Sequence, residues 1–190
     1  MELLKQRILK DGKVREGNVL KVNSFLNHQV DIDFVNEIGK EFFRLFAGNG
    51  VTKILTIEAS GIAIAAITAG YFHVPLLFAK KSSSKNLDGD VYAANIESYT
   101  HGNTYTAVLE KQFLTSADRV LIIDDFLATG NAQRGLLDIT AQSGAAVAGI
   151  GIVIEKGFQG GGDALRAEGY PLQSLAIIDS MAPDRIVFRG

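Results

Sequence analysis

Apolar residues follow two rhythms along this chain. One recurs every three or four positions, as in "DIDFVNEIGKEFFRLFAGNG" (31–50), where Phe34, Ile38, Phe42 and Phe46 share one helical stripe flanked by Val35 and Leu45. Asp31 or Asp33 can cap the start of that helix, and Gly48 or Gly50 can end it in the left-handed conformation. Residues 2–10 show the same rhythm over a shorter span and read as a small amphipathic helix. The second rhythm is an unbroken apolar run of strand length: "KILTI" (53–57), "PLLFA" (75–79), "RVLIID" (119–124), "AVAGIGIVIE" (146–155) and "SLAIID" (174–179). Helical stretches at 61–72, 131–143 and 161–168 separate them. Strands that are apolar throughout and alternate with helices predict a mostly parallel sheet covered on both faces, the α/β class.

The remaining segments are less regular. "VLKVNSFLNHQV" (19–30) reads as a short strand and an irregular stretch, and 80–90 is rich in Ser, Lys, Asp and Gly. Residues 91–100 and 104–110 predict two antiparallel strands turned by "HGN", an insertion on the parallel scaffold. No repeat, linker or low-complexity run divides the 190 residues, so they read as one domain.

Composition narrows the function classes. A 47% apolar content supports an ordinary core, and a formal net charge of −2 provides no basic field for nucleic acid. The absence of cysteine removes disulfides, thiolate metal sites and a cysteine nucleophile together, and suits a cytoplasmic protein. The opening "MELLKQRILK" lacks the apolar core of a secretory signal, and no run of about eighteen apolar residues predicts a membrane span. His28, His73 and His101 are too scattered to suggest a metal site. The "GIG" at 149–151 sits inside a strand pattern and opens no dinucleotide fingerprint, and "GGGD" (160–163) reads as a flexible lead-in to the next helix.

In open α/β sheets, ligands bind beyond the carboxyl ends of the strands. Three polar clusters fall there: "EASG" (58–61), "DDFLATGNA" (124–132) and Glu155 with Lys156. Ala128, Thr129, Gly130, Asn131 and Ala132 are small and lead straight into a helix, whose N-terminal amides form a phosphate cradle. No Gly-Lys-Ser/Thr follows, so this is not a Walker loop. Asp124 and Asp125 are acceptors when ionised and match the two hydroxyl donors of a ribose diol, so pair and loop together suit a 5-phosphorylated ribose. The plainer alternative makes Asp124 a turn cap and leaves Asp125 solvated.

"VLIIDDFLATGNA" (120–132) resembles the phosphoribosyl-pyrophosphate signature of the type I phosphoribosyltransferases. The likeness runs on through "TIEASGIAIAAI", "PLLFAKK" and "GIGIVIEKGF" and covers nearly the whole chain. The N-terminal "VLKVNSFLNHQVD" and the order of the segments are most similar to the bacterial members that act on xanthine. The resemblance implies a mostly parallel twisted sheet flanked by helices, a flexible hood at 80–110 that includes "NIESYT", and an N-terminal base-covering segment at 1–30. It implies transfer of the 5-phosphoribosyl group from phosphoribosyl pyrophosphate, with Mg²⁺, to N9 of xanthine in purine salvage, by a cytoplasmic homodimer. Asp124 and Asp125 would hold the ribose hydroxyls and Ala128–Ala132 the 5-phosphate, while Ser60, Gly61 and Lys80 or Lys81, the lysine charge supplied within the chain or across the dimer interface, would face the pyrophosphate. Leu20, Asn27, Phe126 and Lys156 would cover, read and stack on the base. Lys156, donor-only, favours a 6-oxopurine over adenine, whereas Asn27 can serve xanthine or guanine by turning its amide.

Two positions depart from the family's habit. Many 6-oxopurine enzymes carry an acidic residue where this chain has Ala128, so the loop offers no general base; the loop commonly ends in Thr, where this chain has Ala132. Rival readings also follow from the same residues. A signalling receiver domain places its acidic pair after the first strand, whereas here it comes two-thirds along the chain. A non-catalytic regulator of the same fold would carry a DNA-binding domain, for which about thirty residues before the core are too few. A third rival keeps the enzyme and changes the base to guanine, hypoxanthine or adenine.

Overall fold

The structure, a computed structural model, describes residues 1–82, 90–97 and 104–190. An eight-stranded sheet runs in the order β10-β9-β8-β7-β3-β4-β6-β5. Its middle is parallel: β3 (Lys53–Ile57), β4 (Leu76–Ser82), β7 (Arg119–Leu127), β8 (Ala146–Lys156) and β9 (Leu172–Ala182). The expected hairpin, β5 (Val91–Glu97) and β6 (Thr104–Glu110), is not an insertion standing apart from the sheet. β6 pairs antiparallel with the extended end of β4, so the hairpin continues the sheet itself. Its "HGN" turn and most of the polar segment lie outside the described residues. At the other edge β10 (Arg185–Phe188) folds back on β9, and a small separate ribbon joins β1 (Lys13–Arg15) to β2 (Val19–Lys21). Neither β1 nor β10 was legible in the periodicity, because three and four residues are too short to show a rhythm.

Successive strand residues point to opposite faces, and both faces are covered. Along β7, Leu121 and Ile123 enter one apolar cluster with Phe42 and Phe46 of α2 (Ile32–Phe46) and Ile64 of α3 (Gly61–Phe72). Val120 and Ile122 enter the other with Leu136 and Ile139 of α4 (Asn131–Ser143) and Leu165 of α5 (Gly161–Ala167). That double burial is why the strands lack alternation. The stripe expected for α2 is fully inside, its start is capped by Asp31 accepting from the Phe34 amide at 3.2 Å, and Gly50 takes the left-handed conformation (φ 66°) after a short turn. α1 (Glu2–Asp11) buries Leu4 and Ile8 against the same cluster.

The glycines of "GIG" have a packing purpose. A Cβ at Gly149 would lie 2.5 Å from Phe46 Cε1, and one at Gly151 would lie 2.8 Å from Phe42 Cε1. β8 is therefore stripped of side chains where the α2 rings come down on it. Gly151→Val should overpack this contact and lower stability by about 1–3 kcal/mol, read as a drop in the urea midpoint with the slope unchanged.

Candidate active site

Because β3, β7 and β8 are parallel neighbours, the three polar clusters at their carboxyl ends share one edge of the sheet. There a cavity of about 250 Å³ is lined by Ser60, Lys81, Asp124, Asp125, Phe126 and the loop from Ala128 through Ala132. Glu58, Tyr105 and Gln133 line it as well.

The acidic pair is not at the end of its strand. β7 runs on to Leu127, with Asp124 opposite Ile152 and Leu127 opposite Glu155. Both carboxyls line the cavity within hydrogen-bonding reach of each other, and their further partners differ. Asp124 Oδ2 accepts from Gln133 Nε2 of α4 at 2.8 Å, and its Oδ1 accepts the Asp125 amide at 2.9 Å. Asp125 Oδ2 accepts from Asn27 Nδ2 at 3.1 Å, from a π-helical turn (Asn23–Asn27) in the N-terminal segment. The plainer reading fails: the residues are only 5% and 6% exposed, and neither is solvated. Burial, then the neighbouring Asp125 charge, pushes the Asp124 carboxyl well above the usual carboxylate range, against the pull of Lys81.

Beyond the pair, Gly130 turns the chain with φ 89°, a conformation that favours glycine, and Asn131 opens α4. The Gly130 carbonyl accepts the Arg134 amide at 2.9 Å; the amides of the first turn, which lack such helical acceptors, carry the helix's positive end. Asn131 reaches sideways to the Glu97 carbonyl at 3.3 Å. The loop is braced from behind. The Gly161 amide donates to the Ala128 carbonyl at 3.2 Å, and a Cβ on Gly161 would collide with that same carbonyl. "GGGD" is thus no flexible lead-in: Gly161 and Gly162 are buried, and a Cβ on Gly162 would strike the Glu155 carboxylate.

Glu155, one of the polar residues expected to face the ligand, is fully buried and committed elsewhere. Arg166 of α5 grips it with two bonds of 2.6 and 2.9 Å, and Ser174 donates to it as well. It belongs to the brace. Across the cavity, Ser60 precedes α3 and Gly61 opens it. A Cβ at Gly61 would collide with Thr56 Oγ1 and come within 3.2 Å of Asp124 Oδ1, so the helix start presses close on the acidic pair. Thr56 Oγ1 is buried with no partner. The Glu58–Ala59 peptide is cis, and Glu58 Oε1 accepts the Lys81 amide at 2.6 Å. Lys81 Nζ lies 4.9 Å from the Tyr105 ring centre within the same chain.

The expected base-facing residues gather on the N-terminal side. Lys156 Nζ is 5.8 Å from the Phe126 ring centre and donates to the Asn18 carbonyl at 2.9 Å; partial burial lowers its pKa. Asn27 keeps a buried Oδ1 with no donor. Leu20 differs from the others. It is a buried member of the apolar cluster beneath α2, paired with Val14 across the β1–β2 ribbon.

Among the described residues no group of three or more His, Asp or Glu could hold a metal unaided. The cavity does offer hard oxygen donors, the acidic pair among them, which fits a Mg²⁺ ion shared with a phosphate-bearing ligand and not one caged by protein alone.

The profile of the "Phosphoribosyl transferase domain" family matches residues 21–165. The chain belongs to this family. It is 62% identical to a xanthine phosphoribosyltransferase of Lachnoclostridium phytofermentans, over 100% of this chain and 99% of that protein. Identity is 58% to the xanthine phosphoribosyltransferase of Ruminiclostridium cellulolyticum, over 99% of each. Among solved structures, the adenine phosphoribosyltransferase of Giardia lamblia complexed with 9-deazaadenine superposes with a TM-score of 0.74 at 21% identity, covering 86% of this chain and 87% of that one. This last likeness concerns the fold alone, and it bears out the type I phosphoribosyltransferase architecture.

In this phosphoribosyltransferase, sequence reasoning missed Gln133, Arg166 and the bracing role of Gly161 and Gly162. Gln133 had a signal: it occupies the buried stripe of α4 with Leu136, Leu137 and Thr140, and a polar side chain in an apolar stripe is the informative exception. The Arg166–Glu155 pair had none, because eleven residues and a chain reversal separate the partners. Arg166→Met should strand a buried carboxylate and cost about 3–5 kcal/mol. Arg134→Ala, which breaks an exposed pair with Glu168, should cost less than about 1 kcal/mol in the same urea titration.

Proposed function

We propose that this enzyme transfers the 5-phosphoribosyl group of phosphoribosyl pyrophosphate to N9 of xanthine, releasing pyrophosphate and forming xanthosine monophosphate in purine salvage. The observation that carries the reading is one cavity joining the buried pair Asp124 and Asp125 to a small-residue loop at the N-terminus of α4. In this reading the carboxylates accept the ribose hydroxyls. The amides of Ala128–Ala132 and the Thr129 hydroxyl take the 5-phosphate, whose charge the helix end favours. Ser60 and Gly61, at the start of α3, and Lys81 face the pyrophosphate. A Mg²⁺ ion bound with the diphosphate would supply positive charge to neutralise the leaving group.

The C1–oxygen bond to pyrophosphate breaks as the C1–N9 bond forms, and positive character gathers on the sugar. The chain's work is to align the two reactants and to set fixed negative charge beside the cationic sugar. On the base side Phe126 stacks, with Lys156 beside its ring to donate to the 6-oxo group. The unpartnered Oδ1 of Asn27 is an acceptor that an N–H of the base would satisfy. Leu20 supports this wall from the core. Preference for xanthine over guanine rests on the relatives, which carry that name along their full length. A cytoplasmic homodimer is part of the proposal, and sedimentation of the purified protein tests the dimer.

With Mg²⁺, phosphoribosyl pyrophosphate and each purine in turn, xanthine should give the largest kcat/KM, guanine less and adenine almost none. Lys156→Met should lower kcat/KM for xanthine by about tenfold or more, because the 6-oxo group loses its charged donor. Equal turnover of adenine by the wild type would remove the role given to Lys156. Unchanged turnover after replacing both Asp124 and Asp125 by alanine would remove the ribose assignment. Binding of phosphoribosyl pyrophosphate without turnover of any base would favour a regulator.

A further inference from the structure

α5 has only seven residues, too few to keep a helical shape without packing, so its place is set by what grips it. Gly162 and Arg166, four residues apart, lie on one face of it, against Glu155. The Arg166 guanidinium donates to both carboxylate oxygens at 2.9 and 2.6 Å, and a Cβ at Gly162 would fall 2.1 Å from Glu155 Oε1. On the outer side Arg189 donates to Asp163 at 2.8 Å and to Asp179 at 3.0 Å. On the inner side Leu165 is fully buried, with its Cδ1 3.6 Å from where Gly130 would carry a Cβ. So fixed, α5 brings the Gly161 amide to the Ala128 carbonyl at 3.2 Å.

That hydrogen bond orients more than a carbonyl. The Ala128–Thr129 peptide is trans and planar, so its C=O and N–H point in opposite directions. A carbonyl held back toward α5 sends the Thr129 N–H away from α5, and on that side Ala128 and Thr129 line the cavity. Among the described residues no acceptor takes the Thr129 amide. The approach leaves no room for a side chain. A Cβ at Gly161 would lie 2.4 Å from the Ala128 oxygen, 2.4 Å from the Thr129 carbonyl carbon and 2.7 Å from the Gly130 nitrogen. All three are backbone atoms, which cannot swing aside as the end of a side chain can.

We propose that Gly161 is a positioning residue for the reaction: its amide, held in place by the Arg166–Glu155 pair, fixes the Ala128–Thr129 peptide in the orientation that presents the Thr129 N–H to the 5-phosphate. The phosphate contact rests on the reading above; the setting of the peptide by Gly161 does not. Gly161→Ala must drive α5 off the loop or turn the peptide over. Arg166→Lys keeps a cation beside Glu155 and gives up the two-pronged grip, so it loosens α5 without a collision. It is the second variant if the first fails to fold.

Two readouts separate the setting of the peptide from its consequence. In ligand-free protein labelled with ¹⁵N and ¹³C, scalar coupling across the hydrogen bond from the Gly161 nitrogen to the Ala128 carbonyl carbon should be present in the wild type. It should vanish in Gly161→Ala and weaken in Arg166→Lys. No coupling in the wild type, or an unchanged one in the variants, would overturn the proposal. Calorimetric titration with ribose 5-phosphate should show binding weakened about tenfold by Gly161→Ala and less by Arg166→Lys, with the affinity for inorganic pyrophosphate and Mg²⁺ unchanged. In steady state KM for phosphoribosyl pyrophosphate should rise while KM for xanthine stays level. An equal loss for both substrates would reduce Gly161 to a packing residue and overturn the proposal. A lost coupling with undiminished ribose 5-phosphate binding would uphold the setting of the peptide and overturn the placing of the 5-phosphate at Thr129.

Discussion

The pleat at the end of β7 is the constraint on which this site depends. Two buried aspartates in succession are costly neighbours, and the Asp125 carboxyl adds to burial in pushing Asp124 toward protonation. Their further contacts diverge: Asp124 meets α4 through Gln133, and Asp125 meets the N-terminal segment through Asn27. Two successive residues of β7 thereby tie α4 and the loop that leads into it to the N-terminal segment. A slip of one residue in the β7–β8 register would exchange these partners and bury the wrong face of the whole strand. The register that packs Val120 and Ile122 on α4, and Leu121 and Ile123 on the α2 side, is the same register that sets the chemistry.

Much of the surrounding structure is arranged by what is left out. Gly149 and Gly151 remove side chains so that Phe46 and Phe42 can rest on β8. Gly161 and Gly162 remove them so that α5 can press on the back of the Ala128–Gly130 loop and on Glu155. Without those absences the Ala128–Gly130 loop would have no backbone brace, since its hydrogen bond to the Gly161 amide requires contact closer than any Cβ permits. Glu155 is held there by Arg166 and Ser174, a buried charge acceptable because its bonding capacity is met. The brace thus fixes from behind the small-residue backbone that lines the cavity.

The front of the site is less fully satisfied. Asn27 Oδ1 and Thr56 Oγ1 are buried without partners, and Lys156 spends its charge on the Asn18 carbonyl. Unpaired polar atoms cost stability in a finished core, so these two are not explained by packing alone. Burial and then the Asp125 carboxyl push Asp124 toward protonation, against the Asp125 amide and Lys81.

The α/β class, the parallel core strands and the stripe of α2 were legible in the sequence because each rests on a local period that burial enforces over many residues. The acidic pair and the loop from Ala128 to Ala132 stood out together after an apolar run, and the structure brings both to one cavity. Several features were not: the extension of β7 to Leu127, the incorporation of β5 and β6 into the main sheet, and the commitment of Glu155 to Arg166. Each of these is a relation between segments distant in the chain, set by which strand edges and side chains meet once the core closes. Local sequence determined which residues could do chemistry; the tertiary structure decided which of them face the cavity, because only packing assigns a side chain its partners.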